Sequence, residues 1–467
     1  MQYSVVNFKT VKFEGLRIDP DYFMPKFLLN EKVISSIKWQ YLSDISMKIT
    51  DFGAYSQNNI IEYLDNGECF FIRNQDIRDF FLEDEKIFID RSVYDQLSLH
   101  LEEKDILVQR VGTLGKAGIV LKKDLPSTAN QNLAQIKPNP ELINPFYLIT
   151  FLNSKFGESY FERFKTGNVQ PWLNLQQIKG LKIPIFTLSF QEAIERIISK
   201  VFSTRENSKS SYMQAERLLL SEIGLLNWKP KHQLSFVKKY SDSVNAERFD
   251  AEYFQPKYEE IIAAVKNYKG GFDLIKGQFV QNKKTIHKID DRVYKYIEIG
   301  CVNISDGKME PMNLKGFELP ANAKIKLQKD DVIVSKVRPY RGAIGIVDCD
   351  NYVGSGAFTV LRENGVVSKE TLMLFLRLKP LLDFSLKFNT GTSYPTITDD
   401  DILNFPLPKI SLKIQEQIKE KIVEMQLQKR KSLFMLEIAK QGVEMAIEKS
   451  EDEAMVWLKE NLDKIES

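Results

Sequence analysis

The sequence predicts an α+β protein in which two pseudo-symmetric mixed α/β domains are separated by two long antiparallel helices that form a coiled coil. Residues 17–26 (RIDPDYFMPK) recur as residues 248–257 (RFDAEYFQPK), at an offset of 231 (248 − 17). The stretch TGNVQP that begins at Thr166 recurs as TGTSYP at Thr390, at an offset of 224 (390 − 166). Between these blocks the two copies diverge. Repeated blocks that flank different intervening sequences indicate one scaffold that is used twice to recognise two different targets.

The repeat divides the chain into four parts. We expect a first domain at 1–187, a first long helix at 188–228, a linker and second domain at 229–410, and a second long helix with a helical tail at 411–467.

Each domain shows the same order of predicted elements. A hairpin is expected at 105–121 and again at 331–347, because two apolar runs flank a turn that contains Gly or Pro. A helix follows at 145–155, with Asn144 as its N-cap, and the matching helix is expected at 371–386.

The coiled coil is predicted from an apolar seam whose steps alternate between four and three residues, which is the heptad rhythm. Each seam is interrupted at the same two steps, by Arg205 and Ser208 in the first helix and by Lys429 and Ser432 in the second. If the helices are antiparallel, these polar positions meet in the middle; the alternative is that each seam packs on its own domain. The predicted coiled-coil residues are Ile194, Ile198, Val201, Tyr212, Leu219, Ile418, Ile422, Met425, Leu436 and Val443.

Composition narrows the class of protein. The chain has 467 residues, 43% of them hydrophobic, and a formal net charge of +2, so any nucleic-acid surface must be local. No apolar run is long enough to span a membrane, and the N-terminus does not have the pattern of a signal peptide. Cys69, Cys301 and Cys349 are far apart, which favours a reducing compartment. We therefore expect a cytoplasmic protein with no membrane partner.

The sequence offers no convincing active site. It lacks a P-loop, a dinucleotide-binding glycine motif and a nucleophile elbow. His100, His232 and His287 do not have the spacing of metal ligands. We therefore expect neither a catalytic residue nor a metal site in this chain.

Basic, amide and aromatic side chains collect at the predicted turns of both domains. Arg and Lys pair with phosphates or guanine edges, and Asn and Gln pair with adenine edges, so these side chains are suited to reading a DNA groove. For any single residue a solvated loop is the better explanation, and the prediction rests on the set. The candidate DNA-binding residues are Arg73, Asn74, Gln75, Arg110, Lys116, Gln131, Asn168, Gln170, Lys283, Lys284, Lys336, Arg338, Tyr340, Arg341, Ser393 and Tyr394.

The paired opening blocks, the paired Thr-Gly blocks and the long helices after them resemble the specificity (S) subunit of type I restriction–modification systems. The resemblance covers essentially the whole chain. It implies that each domain is a target-recognition domain for one half of a split, asymmetric site in double-stranded DNA. It also implies that the helices form a coiled coil that docks two methyltransferase (M) subunits, which motor-nuclease (R) subunits join. S-adenosylmethionine, ATP and Mg²⁺ are then expected only on those partners, and the chain itself is expected to be non-catalytic and to act in phage defence.

Two other classes remain open from the sequence. The chain could be the recognition component of another DNA modification or defence system that has the same architecture. It could also be a coiled-coil adaptor that binds two proteins through its two variable domains. Salt dependence of binding separates a DNA reader from an adaptor, because phosphate contacts weaken steeply as salt rises.

Overall fold

The computed structural model describes residues 6, 19–52, 60–84, 86–112, 114–167, 169–391 and 394–466. Its chain divides into two compact units. The first unit contains residues 1–205 and 430–467, and the second unit contains residues 206–429. The domain boundaries expected from the repeat therefore differ from these units, because each long helix is shared between the two.

The first unit is built on a four-stranded sheet with the order β2-β10-β7-β8, and a second sheet has the order β6-β3-β9. Two short pairs, β1-β11 and β4-β5, complete it. The strands are β1 (Trp39–Tyr41), β2 (Ser46–Asp51), β3 (Cys69–Ile72), β4 (Ile77–Arg78), β5 (Phe81–Leu82), β6 (Ile87–Ile89), β7 (Ile106–Gln109), β8 (Ala117–Ile119), β9 (Ser127–Ala129), β10 (Leu133–Pro138) and β11 (Lys182–Pro184). The helices that precede the first long helix are α1 (Pro25–Ser35), α2 (Arg91–Tyr94), α3 (Pro145–Leu152), α4 (Lys155–Phe164) and α5 (Leu175–Lys179).

The first long helix, α6 (Leu188–Glu222), leads into the second unit, whose main sheet has the order β13-β20-β17-β18. A further sheet has the order β15-β14-β19-β16, and β12 pairs with β21. The strands are β12 (Phe272–Leu274), β13 (Phe279–Gln281), β14 (Val293–Ile297), β15 (Met312–Lys315), β16 (Ala323–Lys326), β17 (Val332–Ser335), β18 (Ile344–Ile346), β19 (Tyr352–Ser355), β20 (Phe358–Glu363) and β21 (Pro406–Pro408). The helices are α7 (Tyr240–Ala246), α8 (Pro256–Lys266), α9 (Ile275–Gln278), α10 (Lys369–Arg377), α11 (Lys379–Ser385), α12 (Asp399–Leu403), α13 (Leu412–Glu448) and, in the first unit, α14 (Glu451–Glu466).

The main sheets of the two units have the same strand order, and in each the expected hairpin is present. β7 pairs antiparallel with β8, and β17 pairs antiparallel with β18. The side chain of Asn144 accepts from the backbone N–H groups of Phe146 and Tyr147, so it caps α3 as predicted. The expected helix at 371–386 is instead two helices, α10 and α11, because Pro380 lies in the first turn of α11 and cannot continue α10.

Two repeated side-chain contacts explain why the frame is duplicated in the sequence. The buried amide of Gln191 accepts from the backbone N–H of Asn144 at 2.9 Å, and Gln415 accepts from the N–H of Ser368 at 2.7 Å. Each glutamine therefore fixes the start of a long helix to the N-cap of an earlier helix in the same unit. Gln191 fixes α6 to the N-cap of α3, and Gln415 fixes α13 to the N-cap of α10. This contact is architectural rather than functional.

A cation in each unit holds the repeated Tyr-Phe opening in place. The Arg163 guanidinium lies 4.3 Å from the centroid of the Tyr22 ring, and the Lys387 ammonium lies 3.6 Å from that of Tyr253. Lys387 also donates to the Tyr253 carbonyl at 2.6 Å. Burial lowers the pKa of Lys387 to about 8.

The two long helices are antiparallel. In the first unit the N-terminal part of α6 shares a hydrophobic core with the C-terminal part of α13 and with α14. In the second unit the C-terminal part of α6 shares a core with the N-terminal part of α13. Every predicted coiled-coil residue is buried except Tyr212, which is partly buried. α6 ends at Glu222, six residues before the expected end of the helix.

Three of the four polar interruptions have partners inside their own unit. The Ser208 hydroxyl donates to the carbonyl of Met425 at 2.9 Å, which joins the helices inside the second unit. The Arg205 guanidinium instead lies 4.1 Å from the centroid of the Phe81 ring in the first domain, and Lys429 pairs with Asp306 in the second. Each basic interruption therefore has a contact in the domain that precedes its own helix.

Candidate nucleic-acid interface

In the first unit four chain segments meet at one end of the main sheet. Asn74 Nδ2 donates to the carbonyl of Val111 at 3.0 Å, and the N–H of Arg110 donates to the carbonyl of Asn132 at 2.9 Å. The N–H of Gly112 donates to the carbonyl of Pro171 at 3.1 Å. We call residues 73–76, 110–112, 130–132 and 170–173 the first loop cluster.

The repeated Thr-Gly block forms a tight hairpin at the edge of this cluster. Thr166 and Trp172 exchange two backbone hydrogen bonds of 3.0 and 2.9 Å, and Gly167 has a positive φ of 87°. Glycine adopts this conformation without a Cβ penalty, so the block reverses the chain here. Gln170 is exposed close to the tip, while the candidate Asn168 lies outside the described residues.

The second unit repeats this arrangement. Thr390 and Thr396 exchange backbone hydrogen bonds of 2.9 and 3.2 Å, and the N–H of Arg338 donates to the carbonyl of Pro395 at 2.8 Å. The N–H of Ile397 donates to the carbonyl of Lys336 at 2.9 Å. We call residues 336–341 and 394–397, with Lys283 and Lys284, the second loop cluster. The candidate Ser393 lies outside the described residues.

Lys283 and Lys284 are included in this cluster because they follow β13, whose last residue is linked to Lys336. The side chain of Gln281, the last residue of β13, hydrogen-bonds to Asp399, which also pairs with Lys336 at 3.1 Å. Both lysines are exposed. Burial alone would raise the pKa of Asp399, but hydrogen bonds from Thr359 and Lys336 hold it below its usual value.

One position has the same backbone geometry in both clusters but carries a different residue in each. Gly112 in the first unit and Arg338 in the second donate their N–H groups to the carbonyl of the equivalent proline, and both have positive φ, of 80° and 46°. A positive φ is unfavourable for an arginine, and such strain is found where function requires it. The Arg338 guanidinium lies 5.2 Å from the centroid of the exposed Tyr394 ring, which orients it as a cation–π pair.

The basic candidates of the first unit are all paired with carboxylates of their own domain. Arg73 makes two hydrogen bonds to Asp76, of 3.0 and 2.9 Å. Arg110 pairs with Asp51 and donates to the carbonyl of Leu173 at 3.0 Å.

Lys116 is neutralised in the same way, by two carboxylates. Its ammonium lies 2.6 Å from Asp79 and 3.5 Å from Glu158. Burial would lower the pKa of Lys116, but these two carboxylates outweigh it and keep the pKa above its usual value. The sequence did not single out any of these acidic partners, since three of the four lie more than 35 residues away from the base they pair with.

The second unit is different. In the part of the chain that the structure describes, no carboxylate pairs with Lys283, Lys284, Arg338 or Arg341. Only Lys336 has an acidic partner. The second cluster therefore presents uncompensated positive charge, which is the electrostatic requirement for a phosphate or guanine contact.

The remaining candidates are neutral. Gln75 is exposed, and Gln131 and Tyr340 are half-buried. The amide N–H of Asn74 donates to the Val111 carbonyl. Trp172 also belongs to the first loop cluster and is 43% exposed, although it is not among the candidate DNA-binding residues.

Neither metal-binding clusters nor membrane-spanning helices are found among the residues that the structure describes. No group of three or more His, Cys, Asp or Glu side chains there could hold a metal ion. No helix of the described chain is long and apolar enough to cross a bilayer.

Comparison with known proteins shows what residues 42–217 are similar to. Residues 42–217 match the family model described as the type I restriction modification DNA specificity domain. Among curated proteins, the chain is similar to the type I restriction enzyme EcoBI specificity subunit of Escherichia coli, at 27% identity over 103 residues. That match spans 22% of this chain and 22% of the relative's length. Residues 42–217 are therefore similar to the type I specificity domain, and the resemblance predicted from the sequence is confirmed for them.

Two S subunits of known structure match the chain at low identity and low TM-score. The S subunit of a type I system from M. genitalium is 11% identical, with 89% of this chain and 96% of that chain covered and a TM-score of 0.43. The HsdS subunit from Thermoanaerobacter tengcongensis is 13% identical, with coverage of 88% and 97% and a TM-score of 0.30.

Proposed function

We propose that this chain is the DNA specificity subunit of a type I restriction–modification complex. One loop cluster reads each half of a split, asymmetric site in double-stranded DNA, and the chain itself performs no chemistry. The observation that carries this proposal is the pair of equivalent positions Gly112 and Arg338, in a chain whose residues 42–217 are similar to the type I specificity domain. The same backbone geometry presents no side chain in one unit and an arginine in the other, so one frame can read two different half-sites.

The second loop cluster is suited to phosphate and guanine contacts. Four cations there, Lys283, Lys284, Arg338 and Arg341, have no acidic partner among the described residues. Arginine pairs bidentately with the O6 and N7 atoms of guanine, and each such pair contributes about 1–3 kcal/mol of discrimination. We assign this role to Arg338, because Tyr394 and the Pro395 carbonyl already hold it in place.

The first loop cluster is suited to neutral contacts. Arg73, Arg110 and Lys116 are neutralised by carboxylates, so they support the loops rather than bind phosphate. Gln75 and Gln170 are exposed there, and amide side chains pair with adenine. The half-site read by the first unit should therefore contribute less to the salt dependence of binding than the half-site read by the second.

The catalytic and motor functions belong to partner subunits in this proposal. Two methyltransferase subunits bind S-adenosylmethionine, and motor-nuclease subunits bind ATP and Mg²⁺. The outward face of α13 in the second unit carries exposed apolar residues, Val423 and Leu427, and such residues on a polar helix favour a protein contact. The long helices are therefore one surface on which those partners dock.

The test is to sequence methylated DNA from the host with and without this gene. We expect methyladenine to disappear at one split motif whose two halves are separated by an unspecified spacer. An unchanged pattern in a strain that expresses the methyltransferase subunit would contradict the proposal. It would favour the adaptor alternative, in which the two domains bind proteins and the affinity has no steep dependence on salt.

A further inference from the structure

Arg377, the last residue of α10, is buried and joins two turns of the second unit to a long helix. Its Nη1 donates to the carbonyls of Gly342 and Ile344, at 2.8 and 2.9 Å. Its Nη2 donates to the carbonyl of Ile304 at 2.7 Å, and its Nε donates to the Tyr212 hydroxyl of α6 at 2.8 Å. The guanidinium therefore gives hydrogen bonds to three backbone carbonyls and to one side chain of the helix.

These bonds hold one end of the turn that carries Arg338, between β17 and β18. At the other end of the turn, the N–H of Arg338 donates to the carbonyl of Pro395 at 2.8 Å. Between the two ends, Arg338 has a φ of 46°, which is unfavourable for a residue with a Cβ. Such a conformation persists where the surrounding structure over-determines it. Arg377 supplies the second constraint, because it fixes the Gly342 carbonyl where the turn ends.

The first unit has a buried polar side chain at the equivalent position. The offset of 224 relates Arg377 to Asn153 (377 − 224), which follows the last residue of α3. The buried Asn153 accepts from the Ala117 N–H at 3.2 Å and donates to the Ala117 carbonyl at 3.0 Å. Ala117 is the first residue of β8, directly after the first unit's own turn. Each unit therefore fixes its turn from the same place in the repeat, but with a different side chain.

The long helices differ at the matching position as well. Tyr212 of α6 corresponds to Leu436 of α13 (436 − 224), which is buried. Asn153 completes its hydrogen bonds within its own helix, on the carbonyl of Ile149 at 3.0 Å. Arg377 instead bonds to the Tyr212 hydroxyl. The helix therefore carries a polar partner where the residue beside the turn is an arginine, and an apolar residue where it is an asparagine.

The same helix also supplies a charge opposite to that of Arg377. Glu216 lies one turn beyond Tyr212 on α6 and is half-buried. Burial raises the pKa of Glu216, and the nearby Arg377 guanidinium lowers it. A buried cation is stabilised by such a partner together with its hydrogen bonds. Two side chains of α6 therefore act on the residue that holds the turn.

We propose that Arg377 and Tyr212 are positioning residues for base reading by Arg338. Tyr212 orients the Arg377 guanidinium, and Arg377 holds the turn in the conformation that presents Arg338 to the DNA. This inference rests on the proposed function, and it extends the reading site from the loops to the long helix. A change on α6 should therefore alter recognition at one base pair of one half-site.

The test uses the full chain in complex with the methyltransferase subunits of its own system. Binding to a duplex that carries both half-sites is measured by fluorescence anisotropy, with each base pair changed in turn and over a range of salt concentrations. Tyr212→Phe removes only the hydroxyl that accepts from Arg377. Tyr268→Phe is the matched control, because it removes a hydroxyl that bonds to Glu222 of the same helix at 2.9 Å. Arg338→Gly and the double variant with Tyr212→Phe complete a double-mutant cycle.

We expect Tyr212→Phe to lose discrimination by roughly fivefold at the base pair that Arg338→Gly affects, which is the effect of one lost hydrogen bond. Preference at the other base pairs and the slope of affinity against salt should stay as in the wild type. Tyr268→Phe should keep the wild-type preference throughout. In the double variant, Tyr212→Phe should add nothing to the loss caused by Arg338→Gly, because it acts through Arg338.

Wild-type discrimination in Tyr212→Phe would overturn the positioning role and leave the proposed function standing. So would equal losses in Tyr212→Phe and Tyr268→Phe, or a uniform loss of affinity at all base pairs, because both are signs of a structural role alone. Losses that add in the double variant would show that Tyr212 does not act through Arg338. A wild-type complex that binds DNA with no preference for any base would instead contradict the proposed function.

Discussion

Arg338→Gly separates the contribution of Arg338 to DNA recognition from its contribution to stability. A left-handed conformation costs a non-glycine residue about 1–2 kcal/mol, and glycine removes that cost. The change also loses the contact with Tyr394, worth about 0.5–1 kcal/mol, and adds about 0.5–1 kcal/mol of backbone entropy to the unfolded chain. These effects nearly cancel, so the free energy of unfolding should change by less than about 1 kcal/mol.

DNA binding should change far more than stability. Loss of one bidentate contact to guanine costs about 1–3 kcal/mol, which is roughly a 5- to 150-fold loss of affinity. The assay is a fluorescence anisotropy titration of the subunit assembly with a duplex that carries both half-sites, repeated over a range of salt concentrations and with each base pair changed in turn. We expect discrimination to be lost at one base pair of one half-site.

Arg73→Ala is the matched control in the first unit. It leaves the buried carboxylate of Asp76 without its guanidinium partner, so it should lower the free energy of unfolding by about 1–3 kcal/mol. Because Arg73 is already neutralised, the slope of affinity against salt should not change. Wild-type affinity and base preference in Arg338→Gly would refute the assignment, and so would an equal loss of discrimination in both half-sites.

Three further predictions concern the frame. Lys387→Met should flatten the pH dependence of the free energy of unfolding. The pKa of Lys387 is about 8 in the folded chain, below its ordinary value, so the wild-type chain gains stability as pH rises from about 8 to about 10.5. Urea titrations in which both proteins gain stability equally would contradict this prediction. Gln415→Ala should lower the free energy of unfolding by about 1–3 kcal/mol in urea titrations, because the backbone groups of Ser368, Val366 and Ile410 lose the buried Gln415 amide as their partner. An unchanged value would show that water replaces the amide. Ile422→Asp, at a buried seam position, should destabilise the chain by more than about 3 kcal/mol. Val423→Asp, at an exposed position of the same helix, should change stability by less than about 0.5 kcal/mol. Similar thermal shifts in both variants would refute the burial of the seam.

Local patterns in the sequence were sufficient to predict the frame. The duplicated blocks predicted the same order of elements in both domains, and the heptad rhythm predicted the buried faces of α6 and α13. Asn144 was recognised as an N-cap because capping depends on residues only two or three positions away. Each of these features depends on a repeat, on periodicity or on neighbouring residues, and all three are visible in the sequence.

The tertiary structure decided which candidates can bind DNA, because charge pairing joins residues that are distant in sequence. Arg110 is neutralised by Asp51, and Lys116 by Asp79 and Glu158, through contacts that folding creates. The sequence by itself determined that two copies of one scaffold carry different loops. Only the folded chain could decide that four cations of the second cluster have no carboxylate partner among the described residues, and that Arg338 is held in a left-handed conformation. Both depend on how far-apart segments come together.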